Sequence, residues 1–286
     1  MENLETQVLR AWNVRNEFFP PEICFVSPTK TKAISVTGDR CEQNCSHCGG
    51  HYLKNMKSLT QLTEDDINAS SWLISGGCTT EGKVPIYPYI KDLAERKRTK
   101  RFNVHTGLVT HDEILNLSAI ADTVSFDFIG DNQTIREVLG TQHTVEDYVN
   151  CYKRLRSNLR VIPHICIGLL AGQIKGEYQA LDILKQLGVD GLTVIVFTPT
   201  KDTYYSNCMP PNITSVVKFL AKARVDFPNV PLHLGCMRPG GSYRNELDQW
   251  AVKLGINTIV NSTAATMRLA EKLGLRILKG EECCSL

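Results

Sequence analysis

The segment Ala33-Ile-Ser-Val36-Thr-Gly-Asp-Arg-Cys41-Glu-Gln-Asn-Cys45-Ser-His-Cys48 joins a short apolar run to three closely spaced cysteines. The run 33–36 is typical of a buried strand, and the cysteines follow it with three and then two residues between them. Three thiolates on one loop can bind three irons of a 4Fe–4S cluster and leave the fourth iron without a protein ligand. The segment therefore predicts a metal centre after a strand, with one iron free to bind a small chelating cofactor.

Composition and charge exclude several classes of protein. The chain has 286 residues, 42% of them hydrophobic, and a formal net charge of +2, which is not the basic footprint of a nucleic-acid-binding protein. The first residues lack the pattern of a secretory signal, and no run approaches the ~18 apolar residues of a membrane span. Eleven cysteines in so long a chain do not fit a secreted disulfide scaffold. We expect a cytoplasmic protein that binds neither nucleic acid nor a membrane.

Eight strand-like runs alternate with helical patterns along the chain. The helical patterns place apolar side chains on one face, as Val145, Tyr148, Val149 and Tyr152 do. The strand-like runs are 33–36, 71–75, 102–105, 123–128, 161–167, 192–197, 231–234 and 258–260. Eight repeats of strand and helix predict a full (βα)8 TIM-type barrel in a single domain, 1–286. We interpret 1–30 as an N-terminal extension with a helix and an entry strand, and 275–286 as a C-terminal tail.

The barrel prediction gives the cysteines a functional position. In such barrels the active site lies at the C-terminal ends of the strands, and the cysteine loop follows the first of them. A zinc site is the alternative, because His47 or His51 could complete a Cys3His set. Structural zinc sites are usually built from two separated ligand pairs, and no second pair lies nearby in the sequence. The spacing therefore favours a 4Fe–4S cluster on Cys41, Cys45 and Cys48.

The Cys-x3-Cys-x2-Cys motif after the first strand resembles the signature of the radical S-adenosylmethionine (SAM) enzymes. The resemblance extends to Ser75-Gly76-Gly77 at the end of the second strand, where the family has a Gly-Gly motif whose backbone contacts the methionine amino group. Asp127 ends the fourth strand, where related proteins bind the ribose or carboxylate of the cofactor. Gly168 and Leu170 resemble a Gly-x-Ile-x-Gly segment that packs against adenine, with leucine in place of isoleucine.

The resemblance implies a chemistry and its cofactors. A reduced 4Fe–4S cluster would bind SAM and cleave it to a 5′-deoxyadenosyl radical, which removes a hydrogen atom from an unactivated carbon. The electron would come from a ferredoxin or flavodoxin. The protein would have to exclude water and hold the target carbon beside the radical, which the interior of a barrel can do.

Eight repeats and the later strand ends resemble biotin synthase. His233-Leu-Gly-Cys236-Met-Arg238 resembles the seventh strand of that enzyme, in which an arginine binds an auxiliary cluster. Cys166 aligns with one auxiliary-cluster cysteine, but Ile74 and Val104 stand near the places of two others, so we expect a relative of biotin synthase. The adjacent Cys283 and Cys284 belong either to a disordered tail or to a second 4Fe–4S cluster that they form with Cys236, joined by Cys24 or Cys78.

A second cluster would suggest sulfur insertion, and the whole pattern resembles the subunits of the two-component, archaeal-type lipoyl synthase. That resemblance implies an octanoyl chain on a lipoyl-domain carrier protein as substrate and a paralogous radical SAM subunit as partner. Two alternatives remain open. One is a biotin-synthase-like enzyme for cofactor maturation or rearrangement, without sulfur insertion, and the other is a non-enzymatic zinc or Fe–S binding protein. His105 could face substrate or be structural, and Arg238 could flank a cluster, bind a carboxylate or pair with Glu246.

Overall fold

Eleven strands form one sheet in which every pair of neighbouring strands is parallel. The computed structural model describes residues 2–286. The strands are β1 Glu22–Val26, β2 Thr31–Ser35, β3 Lys57–Ser58, β4 Ser71–Ser75, β5 Arg101–His105, β6 Thr123–Asp127, β7 Val161–Ile167, β8 Leu192–Val196, β9 Leu232–Leu234, β10 Thr258–Val260 and β11 Arg276–Gly280. The eight predicted strands correspond to β2 and β4 to β10, and the predicted entry strand is β1.

Helices connect most of the strands, and several begin with capping boxes in which a threonine and an acidic residue three positions later bond each other's backbone. The helices are α1 Leu4–Phe18, α2 Glu64–Asn68, α3 Ile90–Lys97, α4 His111–Leu117, α5 Asn132–Thr134, α6 Val145–Arg156, α7 Glu177–Leu187, α8 Ile213–Asp226, α9 Gly241–Lys253 and α10 Ala264–Lys272. Two 3-10 turns (His51–Asn55 and Tyr87–Tyr89) and one π-helical turn (Ile135–Leu139) complete the set. Within residues 2–286, no helix is long and apolar enough to cross a membrane.

The core lies between the sheet and the helices. Phe126 in β6 packs against Tyr148 and Tyr152 of α6, with ring centroids 6.0 and 6.2 Å apart. Because side chains alternate along a strand, this contact turns Ser125 and Asp127 to the opposite face of the sheet. The same alternation holds in β4 and β5, which bury Trp72 and Phe102. Hydrophobic side chains thus cover the helical face, and many polar ones cover the other.

The prediction of a full (βα)8 barrel is not confirmed, because the hydrogen-bonded sheet is open. Its strand order is β11-β1-β10-β9-β8-β7-β6-β5-β4-β2-β3, with β11 and β3 at the edges. In a closed eightfold barrel β10 would pair with β2. Here the entry strand β1 takes that place, with Cys24 beside Thr258, and β11 adds beyond it. The result is a strongly curved parallel half-barrel.

The curvature is visible in the contacts of the segment that follows the edge strand β11. Asn103 in β5 donates a hydrogen bond to the Cys283 sulfur, and Arg160, which precedes β7, donates one to the carbonyl of Ser285. Residues 276–280 of the predicted tail are therefore a strand, and residues 281–286 cross the concave face between distant strands. These contacts favour the folded-back alternative for the tail over the disordered one.

Arg224 provides a test of how the second half of the sheet is held together. Its fully buried guanidinium donates to the carbonyls of Phe227 and Val230 and to the Asn257 side chain, which joins α8 to the β9 and β10 region. We expect Arg224→Leu to lower the free energy of unfolding by about 3 kcal/mol, because buried acceptors lose their donors. Urea denaturation measures this, with the exposed Arg268→Leu as control; equal midpoints for both variants would contradict the prediction.

Candidate active site

The three cysteines of the motif lie on one loop at the C-terminal end of β2, and all three side chains are half-buried. The loop is held by its own backbone, since the amides of Cys48 and Gly49 both donate to the carbonyl of Cys45. It is also held by its neighbours. The Ser46 amide donates to the carbonyl of Val138, and the Tyr205 amide donates to the carbonyl of Ser46, at 2.8 and 2.9 Å. The sulfurs are therefore presented from a fixed loop.

The electrostatics of these thiols suit a positively charged metal centre. Burial, together with the charges of the nearby Cys48 and Cys41, raises the pKa of Cys45 to about 12. Burial also raises the pKa of Cys48. Bound iron ions would offset this cost, because a metal stabilises the thiolate over the thiol. The cluster of cysteines thus fits a group that brings its own positive charge.

The donor set suits a cluster, because in a 4Fe–4S cluster each thiolate binds a different iron, and the loop offers three thiols. Among residues 2–286, no group of three or more His, Cys, Asp or Glu side chains is placed to hold one metal ion. His47 was one of the two candidate fourth ligands for zinc, with His51. Burial lowers the pKa of His47 to about 4, and its buried Nδ1 has no hydrogen-bond partner. Gln43 Nε2, beside Cys45, is likewise buried without a hydrogen-bond partner. Two polar nitrogens next to the thiols could therefore bond a group bound there.

The Gly-Gly motif after β4 packs directly against the cysteine loop. A Cβ atom on Gly77 would lie 2.0 Å from the carbonyl oxygen of Arg40 and 2.5 Å from Cα of Cys41. No side chain fits in that space, so glycine is required for the close approach of the two backbones. The Gly77 amide donates to Oγ1 of Thr37 at 2.7 Å. The structure therefore brings Ser75, Gly76 and Gly77 beside the loop, and adds Thr37, which no local sequence pattern indicates.

Asp127 lies at the end of β6 on the concave face. Its charge acts on the pKa of His47, Cys78 and Cys166, which places its carboxylate among these groups. In the sheet register it stands beside His164 of β7. The carboxylate is exposed, so it is available to a ligand that enters the concave face.

The segment after β7 is fixed by a buried carboxylate. The Gly168 amide donates to Oε1 of Glu177 at 2.7 Å, and the Lys175 amide donates to Oε2 of the same side chain. Burial raises the pKa of Glu177. Leu170 is buried, and Gly168 has a φ of +76° with Pro211 close against it. Glu177 was missed because nothing in its local sequence shows that it reaches back to this turn.

Between these segments the concave face is rich in hydrogen-bonding groups. The rings of His105 and His164 have centroids 5.5 Å apart, and Ser125 Oγ donates to Oδ1 of Asn103 at 2.9 Å. Burial lowers the pKa of His164 and of His233 to about 4, so both imidazoles are neutral near pH 7. His105 therefore faces the interior of the half-barrel, beside a second imidazole.

The folded-back tail brings the three cysteines of the predicted auxiliary site into one region. Burial and the charge of Cys283 raise the pKa of Cys236, and the charges of Cys283 and Cys236 contribute to the raised pKa of Cys284. A hydrogen bond from Cys284 lowers the pKa of Cys283 to about 6. Cys24 lines the same cavity as Cys283 and Cys284. Cys78 lies elsewhere, because its carbonyl accepts the Glu42 amide of the first cysteine loop.

Arg238 has a structural pairing that the sequence did not identify. Its Nε and Nη2 donate to the two carboxylate oxygens of Asp248 at 2.7 and 2.8 Å, and Nη1 donates to the carbonyl of Gly235. Both charged side chains are fully buried. Of the alternatives open for Arg238, the ion pair is present, but its partner is Asp248 and not Glu246, and three of its five N–H donors bond Asp248 and Gly235.

Comparison with known proteins agrees with the biotin-synthase-like resemblance. No protein-family model matches the chain. Over 247 residues the chain is 24% identical to a biotin synthase from Campylobacter hominis, an alignment that covers 80% of this chain and 73% of that protein.

Two solved structures share the fold over almost the whole chain. Methylornithine synthase (PylB) has a TM-score of 0.71 at 15% identity, covering 97% of this chain and 91% of that one. The FeFe-hydrogenase maturase HydG from Carboxydothermus hydrogenoformans has a TM-score of 0.72 at 16% identity, covering 96% and 72%. The chain thus has the fold that these two structures share.

Gly77 allows the contact between β4 and the cysteine loop to be tested directly. We expect Gly77→Ala to push the loop out of place, because the new Cβ would meet backbone atoms that cannot rotate away. The variant should keep its far-UV circular dichroism and incorporate much less iron than wild type after anaerobic reconstitution. Gly240→Ala, whose Cβ would meet nothing within 4 Å, is the matched control. Normal iron content in Gly77→Ala would contradict the packing argument.

The buried pair of Arg238 and Asp248 predicts a characteristic pattern of stability. Arg238→Met leaves a buried carboxylate without its partner, and we expect a loss of about 3–5 kcal/mol in unfolding free energy. The double variant Arg238→Met/Asp248→Leu should recover most of the loss, since no unpaired charge remains. Chemical denaturation of both variants measures this. A double variant as unstable as the single one would show that the pair is not the main contribution.

Proposed function

We propose that this chain is a radical SAM enzyme that holds a 4Fe–4S cluster on Cys41, Cys45 and Cys48 and reductively cleaves SAM there. The observation that carries the proposal is the loop of three half-buried thiols at the C-terminal end of β2, against which the Gly77 backbone packs without a side chain. Three thiolates leave one iron open for the methionine end of SAM. The similarity to biotin synthase supports the same conclusion.

The chain's own residues would bind and orient SAM and exclude water. Cys41, Cys45 and Cys48 would hold the cluster, which would supply the electron for reductive cleavage of the SAM sulfonium to a 5′-deoxyadenosyl radical. We propose that the backbone of Ser75, Gly76 and Gly77 meets the methionine end, that Asp127 accepts a hydrogen bond from the cofactor, and that Gly168 and Leu170 pack against adenine. Glu177 would act through Gly168, by holding the turn. The curved sheet would keep water from the reacting carbon.

We further propose sulfur insertion, with a second 4Fe–4S cluster as the sulfur source. The proximity of Cys236 to the adjacent Cys283 and Cys284 supports it, because thiols from two distant parts of the sequence lie close enough for their charges to affect one another's pKa. The specific substrate would be the octanoyl chain on a lipoyl-domain carrier protein. The proposed partners are a ferredoxin or flavodoxin as electron donor and a paralogous radical SAM subunit.

One observation favours a second candidate, radical chemistry on a polar substrate without sulfur insertion, as in cofactor maturation or rearrangement. His105, His164 and His233 line the concave face, and two of these imidazoles are neutral. One nitrogen of His164 and one of His233 already bond within the protein, to the Ile162 carbonyl and to Thr193. An alkyl chain would leave their other ring nitrogens without partners, at a cost of about 1–3 kcal/mol each, whereas a polar substrate could bond them. The solved structures of similar fold, methylornithine synthase and HydG, are consistent with this candidate.

SAM cleavage tests the central proposal. We expect the reconstituted protein to release 5′-deoxyadenosine from SAM with dithionite, and the Cys41→Ala/Cys45→Ala/Cys48→Ala variant to release none above background, because the cluster loses its ligands. Cys208→Ala, in a loop outside both thiol groups, should retain full cleavage. Cleavage that survives in the triple variant would contradict the proposed cluster. A folded, iron-loaded wild type that fails to cleave SAM would favour the non-enzymatic Fe–S or zinc binding alternative.

Isotope transfer separates the two substrate classes. With a peptide carrying perdeuterated octanoyl-lysine, sulfur insertion into the acyl chain predicts deuterium in 5′-deoxyadenosine and a thiolated peptide by mass spectrometry. The polar-substrate candidate predicts no transfer from the acyl chain. It predicts instead transfer from a deuterated amino acid such as lysine. Transfer from the peptide, with no sulfur in the product, would exclude sulfur insertion and keep radical cleavage.

A further inference from the structure

Gln43 lies between Cys41 and Cys45 in the cysteine loop, and both thiols donate hydrogen bonds to it. The Cys41 sulfur lies 3.0 Å from the backbone carbonyl oxygen of Gln43, and the Cys45 sulfur lies 3.8 Å from its side-chain Oε1. Gln43 is only 8% exposed, so water has little access to its side chain. One buried residue is therefore the common acceptor for two of the three thiols of the motif.

A turn of residues 79–83 packs against the Gln43 amide. A Cβ atom on Gly82 would lie 3.4 Å from Nε2 of Gln43, so the nitrogen end of the amide faces this turn. The turn is closed by its own backbone, because the Thr79 amide donates to the Lys83 carbonyl and the Gly82 amide donates to the Thr79 carbonyl, both at 2.9 Å. The Gln43 side chain is thus held in place by neighbours that have a fixed shape.

The amide nitrogen of Gln43 is a buried donor without an acceptor. Nε2 is one of eight buried side-chain nitrogen or oxygen atoms in residues 2–286 that have no hydrogen-bond partner. Two others, His47 Nδ1 and Thr79 Oγ1, belong to the same loop and to the turn that covers it. Buried polar groups are nearly always paired in folded proteins, so a group of unpaired ones beside the thiols indicates that this region is shaped for a further partner.

Iron binding reverses what the Cys45 sulfur can do. The thiol donates to Oε1 of Gln43, whereas an iron-bound thiolate has no proton and can only accept a hydrogen bond. Because the oxygen and nitrogen of an amide have nearly the same size, the side chain can turn over within the same packing. Nε2 then donates to the sulfur, and Oε1 faces the turn that contains the unpaired Thr79 hydroxyl. A backbone carbonyl has no such choice, so the Cys41 side chain has to rotate instead.

We propose that Gln43 donates an N–H···S hydrogen bond to the iron-bound sulfur of Cys45 and thereby raises the reduction potential of the cluster. Reduction adds negative charge to the cluster and its sulfur ligands, and a hydrogen-bond donor favours the more negative form. Gln43 is a positioning residue, because it acts through Cys45 and does not contact SAM. The proposal rests on the proposed function for the presence of the cluster, and it adds the residue of this chain that adjusts its potential.

The reduction potential tests this role without any measurement of SAM cleavage. In a redox titration followed by electron paramagnetic resonance, the ratio of reduced to oxidised cluster in Gln43→Leu should be about tenfold lower at a given potential, which is a midpoint about 59 mV more negative for one electron. Gln43→Glu, of the same size but without the N–H donor, should shift in the same direction. Asn44→Leu removes an exposed amide from the next position of the loop and should keep the wild-type midpoint.

Hyperfine spectroscopy detects the hydrogen bond directly in the wild type. Reduced protein with 15N in its glutamine side-chain amides, in the absence of SAM, should show a weak 15N coupling to the cluster that Gln43→Glu with the same label lacks. No 15N coupling in an iron-loaded wild type, equal midpoints for wild type and both Gln43 variants, or an equal shift in Asn44→Leu would overturn the proposal and leave the cluster in place. A wild type that assembles no cluster would overturn the proposed function as well.

Discussion

The whole candidate site depends on the contact between the Gly77 backbone and the cysteine loop. Gly77 lies so close to Arg40 and Cys41 that a single added carbon would overlap the loop backbone. The contact ties the end of β4 to the end of β2 and fixes where the thiols point. It also leaves peptide groups, and no side chain, next to the sulfurs, so a ligand can approach both at once. The position of the loop on the sheet is thereby set by backbone packing.

The pairing of β1 with β10 is a second constraint, because it keeps the sheet open. Because β1 pairs with β10, the first and last strands of the repeat do not meet, and the curved sheet keeps an opening that the chain after β11 crosses. The cysteine loop follows the C-terminal end of β2, whereas the tail cysteines reach the concave face from the end where strands begin. Two groups of thiols therefore approach one interior from opposite sides, with a polar layer of imidazoles and hydroxyls between them.

Much of the fold could be predicted from the sequence, because buried parallel strands are short apolar runs that stand out locally. All eight predicted strands are present, as is the entry strand. The strand β11 was missed because Arg276-Ile-Leu-Lys279-Gly280 lies at an edge and is mostly exposed, so its sequence is mixed in polarity. The predicted closure of the barrel is not confirmed for a different reason. Strand β10 pairs with β1, which is more than 200 residues away in the sequence. No local sequence pattern indicates a pairing over that separation.

The candidate site likewise has residues that the sequence predicts and residues that it does not. Cysteine spacing and paired glycines carry local signals, and the structure places those residues together. Thr37, Glu177 and Asp248 act through partners that no local sequence pattern indicates, so only the structure identifies them.

Whether the loop of Cys41, Cys45 and Cys48 holds a cluster with an open iron is most directly tested by electron paramagnetic resonance of the reconstituted, dithionite-reduced protein. We predict that adding SAM changes the spectrum of the reduced cluster, and that Cys45→Ala removes the responding signal. A spectrum that is identical with and without SAM would contradict the SAM-binding centre.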